Sequence, residues 1–119
     1  MLLKGIRRVE AMNNNFIGTW LFTKIENYDL NPSDLGVIRF DAEGRGEFEF
    51  DVNYGAMSCG HGQNIVHFGW EGNSECDPAH GTGWAELDEN NLNEITGCIE
   101  FFQGDEFEFT AVKHGTKNS

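Results

Sequence analysis

Two short pairs in this 119-residue chain carry the residue types that bind soft metal ions. Cys59-x-His61 and Cys76-x-x-x-His80 together offer two thiols and two imidazoles, a donor set suited to tetrahedral zinc. Both pairs fall at expected strand ends beside glycines, where backbone can bend around an ion. The competing reading is a small buried thiol with exposed histidines. A second candidate is the segment 71–83, where Glu71, Asn73, Glu75 and Asp77 recur every second residue. In a curved loop their oxygens would converge on a hard cation such as calcium. The calcium-loop template wants glycine at its sixth position and a carboxylate at its twelfth, and here those are Cys76 and Thr82. A solvated acidic loop capped by Pro78 is the alternative.

Acid–base chemistry would need a titratable group in a pocket, and the candidates are His67 and Glu100. His67 lies on the strand face opposite Phe68, and Glu100 shares the parity of Cys98 and Phe102, so both are expected outside. There is no Ser–His–Asp order, no Gly-rich phosphate loop and no His-Glu-x-x-His motif. No catalytic residue is assigned, and no cofactor is expected.

The elements that must position these groups are strands. From Phe16 onward apolar and acidic residues alternate in period two between glycine-rich turns. In Glu47-Phe48-Glu49-Phe50-Asp51-Val52 successive side chains leave opposite faces, so Phe48, Phe50 and Val52 are expected in one layer with the carboxylates in water. Strands are expected over 16–26, 37–42, 47–54, 55–59, 64–70, 82–88, 92–102 and 106–113. The turn cluster Asn31-Pro32-Ser33-Asp34 marks a loop over 27–36, and 71–81 reads as an irregular loop. Short connections throughout favour an all-β fold, an eight-stranded antiparallel up-and-down meander barrel. Closure also removes the exposed edges that Phe-rich strands would otherwise present.

An eight-stranded barrel is just wide enough for side chains or one small ligand. The large residues expected inside are Trp20, Phe22, Ile38, Phe40, Phe48, Phe50, Val66, Phe68, Trp70, Leu87, Ile99, Phe101, Phe107 and Phe109. They suggest a mostly filled interior with at most a modest cavity toward one mouth. Phe102 and Trp84 are expected to point outward from a face otherwise lined with acids, which marks either a partner or homodimer surface or a covered rim.

Composition bounds the rest. One domain is expected over 16–113, with an amino-terminal tail over 1–15 and a polar tail over 114–119. Met12 precedes the polar Asn13-Asn14-Asn15, so translation is suspected to begin there. Twenty acids against eight bases give −12 at pH 7, which argues against nucleic-acid or anionic-membrane binding. Three cysteines at irregular spacing argue against a disulfide framework. No apolar run is long enough for a signal peptide or a membrane span, so the cytoplasm is the expected compartment.

Gly18-Thr19-Trp20 at the head of the first strand resembles the Gly-x-Trp mark of lipocalin-like (calycin) barrels, in which the Trp packs across the closed end. The block from Phe68 to Ala85, with Trp70-Glu71-Gly72-Asn73, Asp77-Pro78-Ala79 and Gly83-Trp84-Ala85, resembles a group of small bacterial proteins of unassigned function. That likeness extends to 40–48 and to Gly104-Asp105. It implies a lipocalin-like barrel and carries no activity with it. On this analogy an apolar or aromatic small molecule would meet Trp20, Phe22, Phe50, Phe68 and Trp70, with 71–83 as the rim. The rival reading is a metal-binding protein using 71–83 or the Cys59, His61, Cys76 and His80 set.

Overall fold

The computed structural model describes residues 15–26 and 36–114. Residues 1–14 of the tail expected over 1–15, residues 115–119 of the tail expected over 114–119, the suspected start at Met12 and the turn cluster at 31–34 lie outside the described residues.

Eight antiparallel strands follow one another around a closed barrel: β1 (Gly18–Ile25), β2 (Val37–Phe40), β3 (Arg45–Phe50), β4 (Asn53–His61), β5 (Ile65–Ser74), β6 (Asp77–Asp88), β7 (Asn91–Phe101) and β8 (Glu106–Lys113). Closure is made by β1 against β8, with Leu21 opposite Val112 and Ile25 opposite Phe109. A register shift between Phe22 and Lys24 lets Ile25 turn back into the interior after two exposed residues. Each strand is paired with a neighbour on both sides, so the sheet closes on itself.

Period two sorts the two faces. Trp20, Phe22, Ile38, Phe40, Phe48, Phe50, Val66 and Ile99 are all essentially inaccessible, and Phe101 and Phe107 pack against them half-buried. Glu49, His67, Glu71, Glu86 and Glu108 alternate with this set and stay exposed. A lipid-facing barrel wall would be apolar instead, so this outer face is built for water. Among the described residues no helix is long and apolar enough to cross a membrane.

Filling a narrow barrel with so many rings requires floor space, and glycines supply it. Phe48 lies directly opposite Gly55, Phe68 opposite Gly83 and Phe109 opposite Gly97. A Cβ at those glycines would sit 2.5 Å from the Phe48 ring, 2.4 Å from Phe68 and 2.8 Å from Phe109. Each ring therefore lies over the strand beside it, at interior packing density.

Strand ends shift by one or two residues at several places, and three differences are larger. Asp51-Val52 forms the turn between β3 and β4, so Val52 leaves the layer of Phe48 and Phe50 and is 46% exposed. The alternation at Val52 was real in parity, but Phe50 already pairs with Asn53, and a two-residue hairpin turn replaces the strand. The short strand expected over 55–59 is the middle of a nine-residue β4. The irregular loop expected over 71–81 is two strands: β5 runs on to Ser74, Glu75-Cys76 turns, and β6 begins at Asp77. Pro78 is tolerated because Asn73–Pro78 follows the hydrogen-bonded pair that closes the hairpin. Its nitrogen is on the β7 side, in the part of β6 that lies beyond Gly81–Phe101, the last pair in register with β7.

Candidate functional site

Three tight turns converge at one end of the barrel: 51–52, 75–76 and 102–105. All four described non-glycine residues with positive φ lie in them, Asp51 (53°), Glu75 (52°), Cys76 (77°) and Gln103 (55°). Left-handed backbone is costly for Glu, Cys and Gln, so these turns hold their shape against local preference.

Within this mouth is a cleft of about 360 Å³ lined by Val52, Asn53, Ser74, Phe101, Phe102, Gly104, Asp105 and Phe107. Phe102 is 62% exposed and stacks on His80 at 4.8 Å. Asn53, the one buried polar side chain among the described core residues, accepts a hydrogen bond from Ser74 Oγ at 2.7 Å. That places a polar pair, together with the Asp105 carboxylate, among the aromatic walls of the cleft.

Beneath the cleft the aromatics form a closed circuit. Ring centroids run Phe48–Trp70 (5.0 Å), Trp70–Phe101 (4.9 Å), Phe101–Phe107 (5.7 Å), Phe107–Phe50 (6.0 Å) and Phe50–Phe48 (5.8 Å), mostly edge to face. Trp70 Nε1 donates to the carbonyls of Thr82 (3.2 Å) and Glu100 (3.3 Å), which holds its indole in place. The five residues expected to touch a ligand thus occupy different levels. Phe50 and Trp70 belong to the circuit under the mouth; Phe22 packs deeper, against Phe50 and Phe109; Phe68 covers Gly83; and Trp20 lies at the opposite end. Phe101 and Phe107, which the sequence placed in the core without assigning them to the ligand, are the half-buried rings that line the cleft.

At the far end, Trp20 Nε1 donates to Phe16 O at 2.9 Å. Lys113 Nζ lies 4.5 Å above the Trp20 ring and donates to the carbonyls of Asn15 (2.9 Å) and Ile17 (2.8 Å). Burial pulls the Lys113 ammonium below its ordinary pKa. His61 reaches the same end beside Phe16, with both ring nitrogens shielded and without a hydrogen-bond partner among the described residues, and burial lowers its pKa.

The metal-ligand candidates are dispersed. Cys59 pairs with Phe68 and His61 with Val66, near the 62–64 turn, whereas Cys76 lies in the turn after Ser74. Six residues of strand separate Phe68 from Ser74, about 20 Å at the usual rise. His80 sits opposite Glu71, on the outer face. The tertiary fold therefore does not bring Cys59, His61, Cys76 and His80 together. Nor does 71–83 curl around a cation, since Glu71 and Asn73 stand on β5 and Asp77 begins β6. Burial pushes the Cys59 thiol up to about 11, with Asp41 adding to the shift.

The outer face of β6, β7 and β8 holds what sequence reasoning placed only by parity. Cys98 Sγ and carboxylate oxygens of Glu100 and Glu106 lie within 4.8 Å of one another. Glu100 and Glu106 are directly opposite, and Glu100 Oε1 accepts a hydrogen bond from Thr82 Oγ1 at 2.6 Å. Cys98 is pushed up to about 11 by burial and by the carboxylates of Glu100, Glu106 and Glu108. The signal available in sequence was the Gln103-Gly104-Asp105 hairpin, which sets Glu100 against Glu106.

No protein-family model matches this chain, and neither a curated protein nor a solved structure does.

Proposed function

We propose that the protein is a lipocalin-like binding barrel that takes a small apolar or aromatic molecule at the mouth formed by its three tight turns. The observation that carries this reading is the cleft of about 360 Å³ in which half-buried Phe101 and Phe107 meet the exposed Val52 and Phe102. Clefts of this size with few polar groups are the usual form of small-molecule sites. Asn53 and Ser74 would orient a hydroxyl or carbonyl on the ligand, and the aromatic circuit below would receive its apolar body edge to face. The positive-φ turns support the reading, because strained backbone persists where the surrounding structure holds it for a purpose. On this reading the interior is the floor of the site and not itself the cavity.

Titration with the neutral fluorophore N-phenyl-1-naphthylamine tests it. Binding raises probe fluorescence, and Phe102→Ser and Val52→Ser, both exposed and remote from the core, weaken binding at least tenfold while leaving the thermal midpoint in place. Absent binding, or binding unchanged in both variants, overturns the reading.

A further inference from the structure

A second groove, on the outer face and separate from the mouth, has a volume of about 370 Å³. Its wall is Trp84 on β6, its floor is Thr96, Gly97 and Thr110, and the carboxylates of Glu26 and Glu108 stand at its side. We propose that this groove seats an arginine side chain from a basic segment of a partner protein, with the guanidinium flat against the Trp84 indole and paired to Glu108 and Glu26.

The argument is one of charge and shape together. Within the groove the carboxylates of Glu26 and Glu108 are neighbours, Glu26 Oε1 accepting from the Glu108 N–H at 3.5 Å, and beyond it Glu106 and Glu100, directly opposite each other, continue the acidic strip along β8 and β7. Like charges so placed repel, and a cation bound beside them relieves that repulsion. Lys24 lines the same groove but makes no ion pair with a described residue, the sole such pair joining Arg39 to Glu47, on β2 and β3. The whole chain carries −12, so its complement is basic. An indole beside such carboxylates selects among cations. A planar guanidinium stacks on it and keeps its in-plane donors for the carboxylates, which an ammonium cannot do as well. Lys24 stands at the edge of the same groove, where it opposes a cationic occupant. That gives the proposal a handle of its own.

The test uses the full chain and the blocked peptide acetyl-Gly-Gly-Arg-Gly-Gly-amide, with the citrulline peptide as the neutral isostere. In ¹⁵N NMR titrations the arginine peptide shifts the Trp84 indole N–H and the amides of Thr96 and Thr110, and the citrulline peptide binds at least 5-fold more weakly. Glu108→Gln weakens binding about 2- to 5-fold, the range of an exposed ion pair, and Lys24→Glu strengthens it by a similar factor. Arg45→Glu, which changes net charge equally but lies on β3 outside the groove, leaves affinity within a factor of 1.5. Thermal midpoints close to wild type establish that each variant is folded. Three results overturn the proposal: equal gains from Lys24→Glu and Arg45→Glu, which mean a diffuse field; equal binding of the citrulline peptide; or perturbation of these resonances by Zn²⁺ or Ca²⁺ at lower concentration than the peptide, which makes the carboxylates a metal site.

Discussion

Gly83→Ala and Gly69→Ala are the same chemical change at neighbouring positions of one hairpin, and the barrel makes them opposite in effect. Gly83 faces inward, paired with Phe68, and Gly69 faces outward, paired with Thr82. A Cβ at Gly83 would sit 2.4 Å from Phe68 Cζ and 2.7 Å from the carbonyl oxygen of Cys98. The ring could shift only into packed neighbours, and the carbonyl belongs to the backbone of β7, so neither clash is relieved cheaply. Overpacking of this kind costs about 1–3 kcal/mol, and the backbone contact argues for the upper half of that range. At Gly69 the nearest atom to a new Cβ is 3.9 Å away. There alanine removes unfolded-chain entropy and stabilises by about 0.5 kcal/mol. Urea unfolding followed by tryptophan fluorescence reads both: Gly83→Ala lowers the midpoint and Gly69→Ala raises it slightly, at unchanged m. In thermal melts the first corresponds to a drop of roughly 4–12 °C. In a Phe68→Leu background the Gly83→Ala penalty falls by about 1 kcal/mol, since the ring clash is gone and the carbonyl clash remains. If the two alanines shift the midpoint in the same direction and by equal amounts, the assignment of faces on β5 and β6 is wrong, and the filled-barrel reasoning fails with it.

Two further outcomes follow from the far end of the barrel. His61 is disfavoured in its charged form by burial, so the unfolded chain binds its proton more readily; stability is retained above the ordinary value of 6.5 and is lost as pH falls from there through the folded-state pKa. His61→Leu removes this component, so wild-type and variant stabilities diverge below pH 6.5 in denaturant titrations, and parallel curves would show that the imidazole is solvated. Lys113→Met deletes two charge-assisted hydrogen bonds and the cation over Trp20, which destabilises by about 1–3 kcal/mol. Hydrogen exchange should quicken at Ile17 to Trp20 in that variant, and unchanged protection there would remove Lys113 from the closure of this end.

Most of the interior was legible because its signal is local. Phe48 and Phe50 are two residues apart, as are Phe107 and Phe109, and strand geometry alone sends each pair to one face. The turn at Asp51-Val52 was not legible for the complementary reason. Alternation continues unbroken through it, and neither residue is a glycine, so only the pairing of Phe50 with Asn53 reveals the reversal. The same blindness hid the hairpin at Glu75-Cys76, where two left-handed residues stand in place of the usual Asn-Gly. That one turn changed the chemistry expected of the region. Read as a loop, 71–83 gathers oxygens; paired as strands, it spreads them along a wall.

By itself, then, the amino-acid order determined most of the residues that avoid water, Val52 excepted, how many strands there are and that they run as a meander, because period and turn composition act over a few residues. Tertiary structure alone decided which residues share an end of the barrel. Cys59 and Cys76 part company because register carries them to opposite rims, whereas Val52, Phe102 and Ser74, distant along the chain, meet at one mouth because three hairpins turn at the same height. Register is a property of paired strands, and closure of β1 on β8 sets it for all eight at once.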